Sequence, residues 1–117
     1  MKIVAMSDIH AHSNFDVPDG DVLIIAGDIC SHGSLNGCNR FISSLPHKHK
    51  ILVGGNHDSF IGLGVLKDKF PDIIYLEDGE IIIDSVKFYG APWHGVCGWP
   101  FGLDDWERKA KWDKIPD

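Results

Sequence analysis

Apolar positions fall in short runs, each closed by glycine or acidic residues. Lys2 to Ser7 reads as a strand that ends in a polar loop. Asp21 to Ala26 holds the apolar run Val22-Leu23-Ile24-Ile25-Ala26 between Asp19-Gly20 and Gly27-Asp28, which predicts a second, buried strand. Leu35 to Leu45 fits a helix with Phe41, Ile42 and Leu45 on one face, Ser34 as N-cap and Pro46 as its stop, although Gly37 weakens it. Lys50 to Val53 is a third strand, followed by Gly54-Gly55, and Gly62 to Lys69 reads as a short helix before Pro71. Buried-looking strands separated by crossover-length segments suggest a parallel arrangement. The pattern then changes. Ile73 to Leu76 and Ile81 to Ile83 are β-rich and joined through Asp78-Gly79, a hairpin signal, and Val86 to Tyr89 follows the tight turn Asp84-Ser85, so an antiparallel meander is expected. The stretch from Asp104 to Trp112 is amphipathic. With Trp99, Phe101, Trp106 and Trp112, the tail is expected to pack as a core segment over a sheet edge.

Composition narrows the class. The 117 residues allow a single domain over 1–117 and not two. Apolar runs spread along the chain exclude disorder, and none approaches the about 18 residues of a membrane span. No signal peptide is visible, so a cytoplasmic setting is expected. A net charge of −6 argues against nucleic-acid binding, which relies on basic patches. The short basic stretch His47-Lys48-His49-Lys50 reads as a solvated loop. Cys30, Cys38 and Cys97 are odd in number and form no C-x-x-C pair, so all three are expected to be buried thiols in a reducing compartment.

Three polar clusters follow the first three strands: Asp8-Ile9-His10, Gly27-Asp28 and Gly55-Asn56-His57-Asp58. An open α/β sheet gathers its ligands outside the carboxyl ends of its strands, so all three clusters are expected at one edge. Gly27, Gly54 and Gly55 suit a place where backbones approach closely. Carboxylates, an amide oxygen and imidazole together suit Mn, Fe or Zn better than Ca. If strand geometry persists, Asp8 and His10 point the same way by the period of two. Two cations clamped about 3.5–4 Å apart, with Asp28 between them, would suit phosphoryl transfer.

These three clusters, in this order, resemble the first blocks of the calcineurin-like metallophosphoesterases. The runs Gly20 to Asp28, Leu45 to Lys50 and Tyr89-Gly90-Ala91-Pro92-Trp93 are similar to one subgroup, the metallophosphoesterase-domain-containing proteins, which are associated with phosphodiesterase activity on cyclic nucleotides. The resemblance implies an α/β sandwich of αββα type, incomplete at its carboxyl end. It implies a phosphoesterase that hydrolyses a small phosphoester or nucleotide through a metal-activated water. By the same resemblance, Asp8 and His10 hold a first divalent cation, Asp28 bridges two, and Asn56 binds the second. His57 contacts the phosphate, and Asp58 orients His57.

The family pattern continues with further histidines in a Gly-His-x-His block and before a Gly-Pro-Pro-like turn. None of the seven histidines here follows a glycine. The second cation would keep only Asp28 and Asn56. Three readings stay open: a fragment or split subunit completed by another polypeptide or a second copy; a short protein that binds metal or nucleotide without turnover; or replacement of the absent ligands by His12, His32 or His94. For these three, solvent exposure or a supporting position is the simpler expectation.

Overall fold

The run at 22–26 is apolar at every position because it is buried on both faces. In the computed structural model, which describes residues 1–59 and 68–117, it forms β2 (Val22–Ala26). The other elements are β1 (Ile3–Met6), α1 (Cys38–Ser44), β3 (His49–Val53), β4 (Ile73–Tyr75), β5 (Gly79–Ile83), β6 (Val86–Gly90) and α2 (Asp105–Trp112). Strands β1-β2-β3-β4 form one parallel sheet in that order, and β5-β6 form an antiparallel pair. The expected α/β class and parallel first half are thus found. The helix expected at 62–69 falls mainly outside the described residues.

Successive β2 residues serve opposite faces. Leu23 and Ile25 meet Leu52 and, from α1, Cys38 and Ile42. Val22 meets Ile51, Leu76 and, from β5, Ile83. The layers are therefore α1, the parallel sheet and the β5-β6 hairpin. Burying a side chain such as Ile42 or Leu52 contributes about 2 kcal/mol, so these two contact sets hold the layers together.

Several local expectations are corrected. Helix α1 starts at Cys38 and not near Leu35. Its N-cap is Gly37 at φ 79°, and Ser34 instead exchanges backbone hydrogen bonds with Ser31 at 2.9 Å. Asp78-Gly79 makes no hairpin. β4 pairs in parallel with β3, which covers that strand's open edge, and the chain then crosses into the second sheet. The carboxylate of Asp78 is committed elsewhere, to the Trp93 indole N–H at 2.7 Å and the Lys111 ammonium at 3.0 Å. Asp84-Ser85 is a tight turn as expected, with φ of 47° and 68°, the left-handed pair that a two-residue hairpin needs. His47 is buried and its Nε2–H donates to the Pro18 carbonyl at 2.9 Å, while His49 and Lys50 lie in β3, so this stretch is not a solvated loop. Cys97 is exposed, unlike Cys30 and Cys38. Burial first, and the Asp58 charge second, push the Cys30 thiol up to about 12 and that of Cys38 to about 11, so both stay protonated and inert.

The tail is not a core segment. α2 contributes no buried residue, and Trp106 is 79% exposed. Asp104 caps it by accepting from the Glu107 N–H at 2.8 Å, and Asp105–Arg108 and Lys109–Asp113 pairs lace its surface. Lys111 ties it to the body by its ion pair with Asp78 and by lying 4.4 Å from the centre of the Trp93 ring. Among the described residues no helix is long and apolar enough to cross a membrane.

Burial alone raises the Asp78 carboxyl, but the bonds from Trp93 and Lys111 outweigh it and hold the group below its ordinary value of 3.8. A depressed carboxyl stabilises the fold above its unfolded-state value, and that contribution is lost as pH falls through the lower folded-state value. Asp78→Ala should therefore cost about 1 kcal/mol or less at neutral pH and speed hydrogen exchange in α2. The difference from wild type should shrink in strong acid. Unchanged α2 exchange at pH 7 would contradict the tether.

Candidate metal centre

Parallel β1, β2 and β3 deliver their carboxyl ends to one edge, and the segments that leave them are stitched together by backbone hydrogen bonds. Asp8 N–H donates to the Gly27 carbonyl at 3.1 Å, His10 N–H to Asp28 at 2.9 Å, and Ala11 N–H to Ile29 at 2.8 Å. The segment after β3 joins them through Asp58. Its carboxylate, 1% exposed, accepts from the N–H groups of Asp28 (2.8 Å), Cys30 (2.9 Å) and Gly55 (2.7 Å). Close approach explains two glycines. A Cβ on Gly27 would lie 3.0 Å from the Gly55 Cα, and one on Gly55 would collide with Asp28.

Asp8, His10 and Asp28 all have left-handed backbone, at φ 55°, 47° and 54°. For residues with a Cβ this costs about 1 kcal/mol or more each, so the surrounding hydrogen bonds must hold them there. β1 ends at Met6, so Asp8 and His10 do not meet by strand alternation as the sequence suggested. They meet because the chain turns.

His10 Nε2 lies 3.8 Å from Asp8 Oδ1 and 3.8 Å from Asp28 Oδ2. One ligand atom from each of the three residues lies within 4.8 Å of the others. The other oxygen of Asp28, Oδ1, accepts from the His57 N–H at 2.9 Å, which leaves Oδ2 directed at His10. Donors about 2.1 Å from a shared ion sit about 3–4 Å apart, so this set of two carboxylates and one imidazole fits a divalent cation of the Mn, Fe or Zn kind. Among the described residues no lysine or arginine forms an ion pair with Asp8 or Asp28.

Asn56 lines a cleft of about 510 Å³ together with Asp8, Asp28, Tyr89 and His94. The His57 ring stands beside the cluster, with centroid distances of 4.8 Å to His10, 5.6 Å to His32 and 5.3 Å to Trp99. Asp58 is placed otherwise than expected. It bonds backbone amides and makes no bond to the His57 ring, so its work is to set the floor of the site. His94 lines the cleft but spends both ring nitrogens on its own loop: Nδ1 accepts from the Val96 N–H at 3.1 Å and Nε2–H donates to the Pro100 carbonyl at 2.8 Å. His12 Nδ1–H is shared between the Ile9 and His10 carbonyls at 3.0 and 3.1 Å. His32 packs against His57 and not in the three-residue cluster. Trp99 neighbours the site through His57, and nothing in the spacing of the aromatic tail marks it for that place.

Residues 1–112 match the family model described as calcineurin-like phosphoesterase. The UPF0046 protein K07C11.7 of Caenorhabditis elegans is 34% identical over 139 aligned positions, covering 100% of this chain and 48% of that protein. The UPF0046 protein C25E10.12 of the same organism is 32% identical, over 99% of this chain and 50% of that protein. Human metallophosphoesterase domain-containing protein 1 is 29% identical, over 99% and 45%. The chain thus spans about half the length of these relatives. The parallel sheet faced by a hairpin is the matched part of the expected two-sheet fold.

Replacing Asp58 tests the floor. Asp58→Ala leaves two buried N–H groups and one half-buried one without acceptors and should cost about 3 kcal/mol or more in urea unfolding. Asp58→Asn, which keeps one acceptor oxygen, should cost less. A loss under about 1 kcal/mol for the alanine variant would contradict the clamp.

Proposed function

The chain belongs to the calcineurin-like phosphoesterase family, and we propose that it is a metal-dependent phosphoesterase, more narrowly a phosphodiesterase acting on nucleotides or related small phosphoesters. The observation that carries this reading is the convergence of Asp8, His10 and Asp28 at the strand ends. Asp8 and His10 would hold a first ion, Asp28 would be shared with a second, and Asn56 would offer that second ion its side-chain oxygen. Bound divalent cations lower the pKa of a water and offset phosphoryl charge. The His57 ring, beside His10, would donate to an oxygen of the phosphate or of the departing alcohol, and its backbone N–H fixes Asp28. Asp58 supports both by fixing the backbone on which they sit. A reducing, cytoplasmic setting fits the two buried thiols.

A second reading is favoured by one observation. His94, the one replacement candidate that lines the cleft, spends both ring nitrogens on its own loop and so adds no ligand to Asp28 and Asn56 at the second ion. On that reading the chain binds metal or nucleotide and turns over efficiently only with a complementing polypeptide or a second copy.

Hydrolysis of bis(p-nitrophenyl) phosphate with added Mn, alongside calorimetric Mn titration, separates the two. The enzyme reading expects Mn-dependent turnover and a loss of at least about 100-fold in kcat/KM for Asp28→Asn, about 2.7 kcal/mol of transition-state stabilisation. Mn binding without turnover favours the second reading. Absence of Mn binding contradicts the enzyme reading, and absence of both Mn and nucleotide binding contradicts the second.

A further inference from the structure

We infer that Trp99 determines specificity beside His57: its indole face receives a planar aromatic or heteroaromatic group of the ester and selects such esters over aliphatic ones. The inference rests on the proposed reading in that His57 marks where the phosphoryl group sits. The Trp99 ring lies 5.3 Å, centroid to centroid, from the His57 ring, so a substituent on a phosphorus held by His57 comes within reach of the indole. Trp99 is 47% exposed, and it neighbours the metal cluster through His57, whose ring lies 4.8 Å from that of His10. The other tryptophans have different surroundings. Trp93 is hydrogen-bonded to Asp78 and lies under Lys111, Trp112 belongs to α2 with Arg108 5.2 Å from its ring centre, and Trp106 projects from α2.

The loop that presents Trp99 is held firmly. His94 N–H donates to the Phe101 carbonyl at 3.2 Å, Leu103 N–H returns to His94 at 2.9 Å, and both ring nitrogens of His94 bond inside the loop. Gly102 N–H donates to the Trp99 carbonyl at 2.9 Å. Phe101 fills the space over Gly54 where a side chain would otherwise project, which anchors the loop to the segment carrying Asn56 and His57. A preorganised aromatic face loses little entropy when a ring stacks on it. Stacking of one base on one aromatic side chain commonly changes affinity by about tenfold or more. His94 thus serves the site by holding Trp99 in place, which accounts for its position in the cleft without metal ligation.

The test is calorimetric binding of phenyl phosphate and methyl phosphate to the Mn-loaded protein. These probes share the phosphate and differ in the planar group. Wild type should bind phenyl phosphate about tenfold more tightly than methyl phosphate. Trp99→Ala should bring that ratio close to one with methyl phosphate affinity unchanged, and Trp99→Phe should keep part of it. Trp106→Ala should leave the ratio as in wild type. Equal affinities in wild type, or an undiminished ratio in Trp99→Ala, overturns the role of Trp99 and leaves the phosphoester reading standing. Loss of methyl phosphate affinity in both Trp99 variants assigns the residue to loop structure and also overturns its role. Failure of the Mn-loaded wild type to bind either probe overturns the phosphoester reading itself.

Discussion

Asp58 accepts hydrogen bonds from the backbone of Asp28, Cys30 and Gly55, and the placement of the cluster follows from those bonds. They join the segment after β3 to the segment after β2, which in turn is bonded to the segment after β1 through Gly27, Asp28 and Ile29. A carboxylate that is 1% exposed cannot be left without partners, so the clamp and the burial require each other. Asp28 then points one oxygen at the His57 N–H and the other at His10.

That constraint explains the cost accepted nearby. Three residues with side chains adopt left-handed backbone at the strand ends, and two glycines stand where a Cβ would collide or crowd. None of this serves the apolar core, which lies on the two faces of the sheet behind. It serves the convergence of Asp8, His10 and Asp28. The same logic reaches the far wall of the cleft, where His94 is consumed in holding a loop and Phe101 seats that loop on Gly54.

Much of this was legible in the sequence. The run Val22 to Ala26 announced a buried strand, the apolar runs with crossover-length gaps announced a parallel sheet, and Asp84-Ser85 announced a hairpin. The delivery of the three polar clusters to one edge followed from that sheet, and the family from the clusters. What could not be read was decided at a distance. β4 pairs with β3 because that edge was open, a choice that three residues cannot encode. The part played by Asp58 depends on amides 28 and 30 positions away in the chain. Asp8 and His10 meet through left-handed turns and not through alternation, and α2 has an amphipathic pattern yet is held by an ion pair and a cation–π contact. Pattern reports which faces are apolar, and it does not report which partner a polar group finds.

The most direct measurement of the central claim is an anomalous diffraction map from crystals grown with Mn. The account predicts a peak about 2.0–2.3 Å from oxygens of Asp8 and Asp28 and from Nε2 of His10, with the Asp58 clamp intact beneath it. A well-ordered map with no peak at these three residues, or with Mn bound only elsewhere, would contradict it.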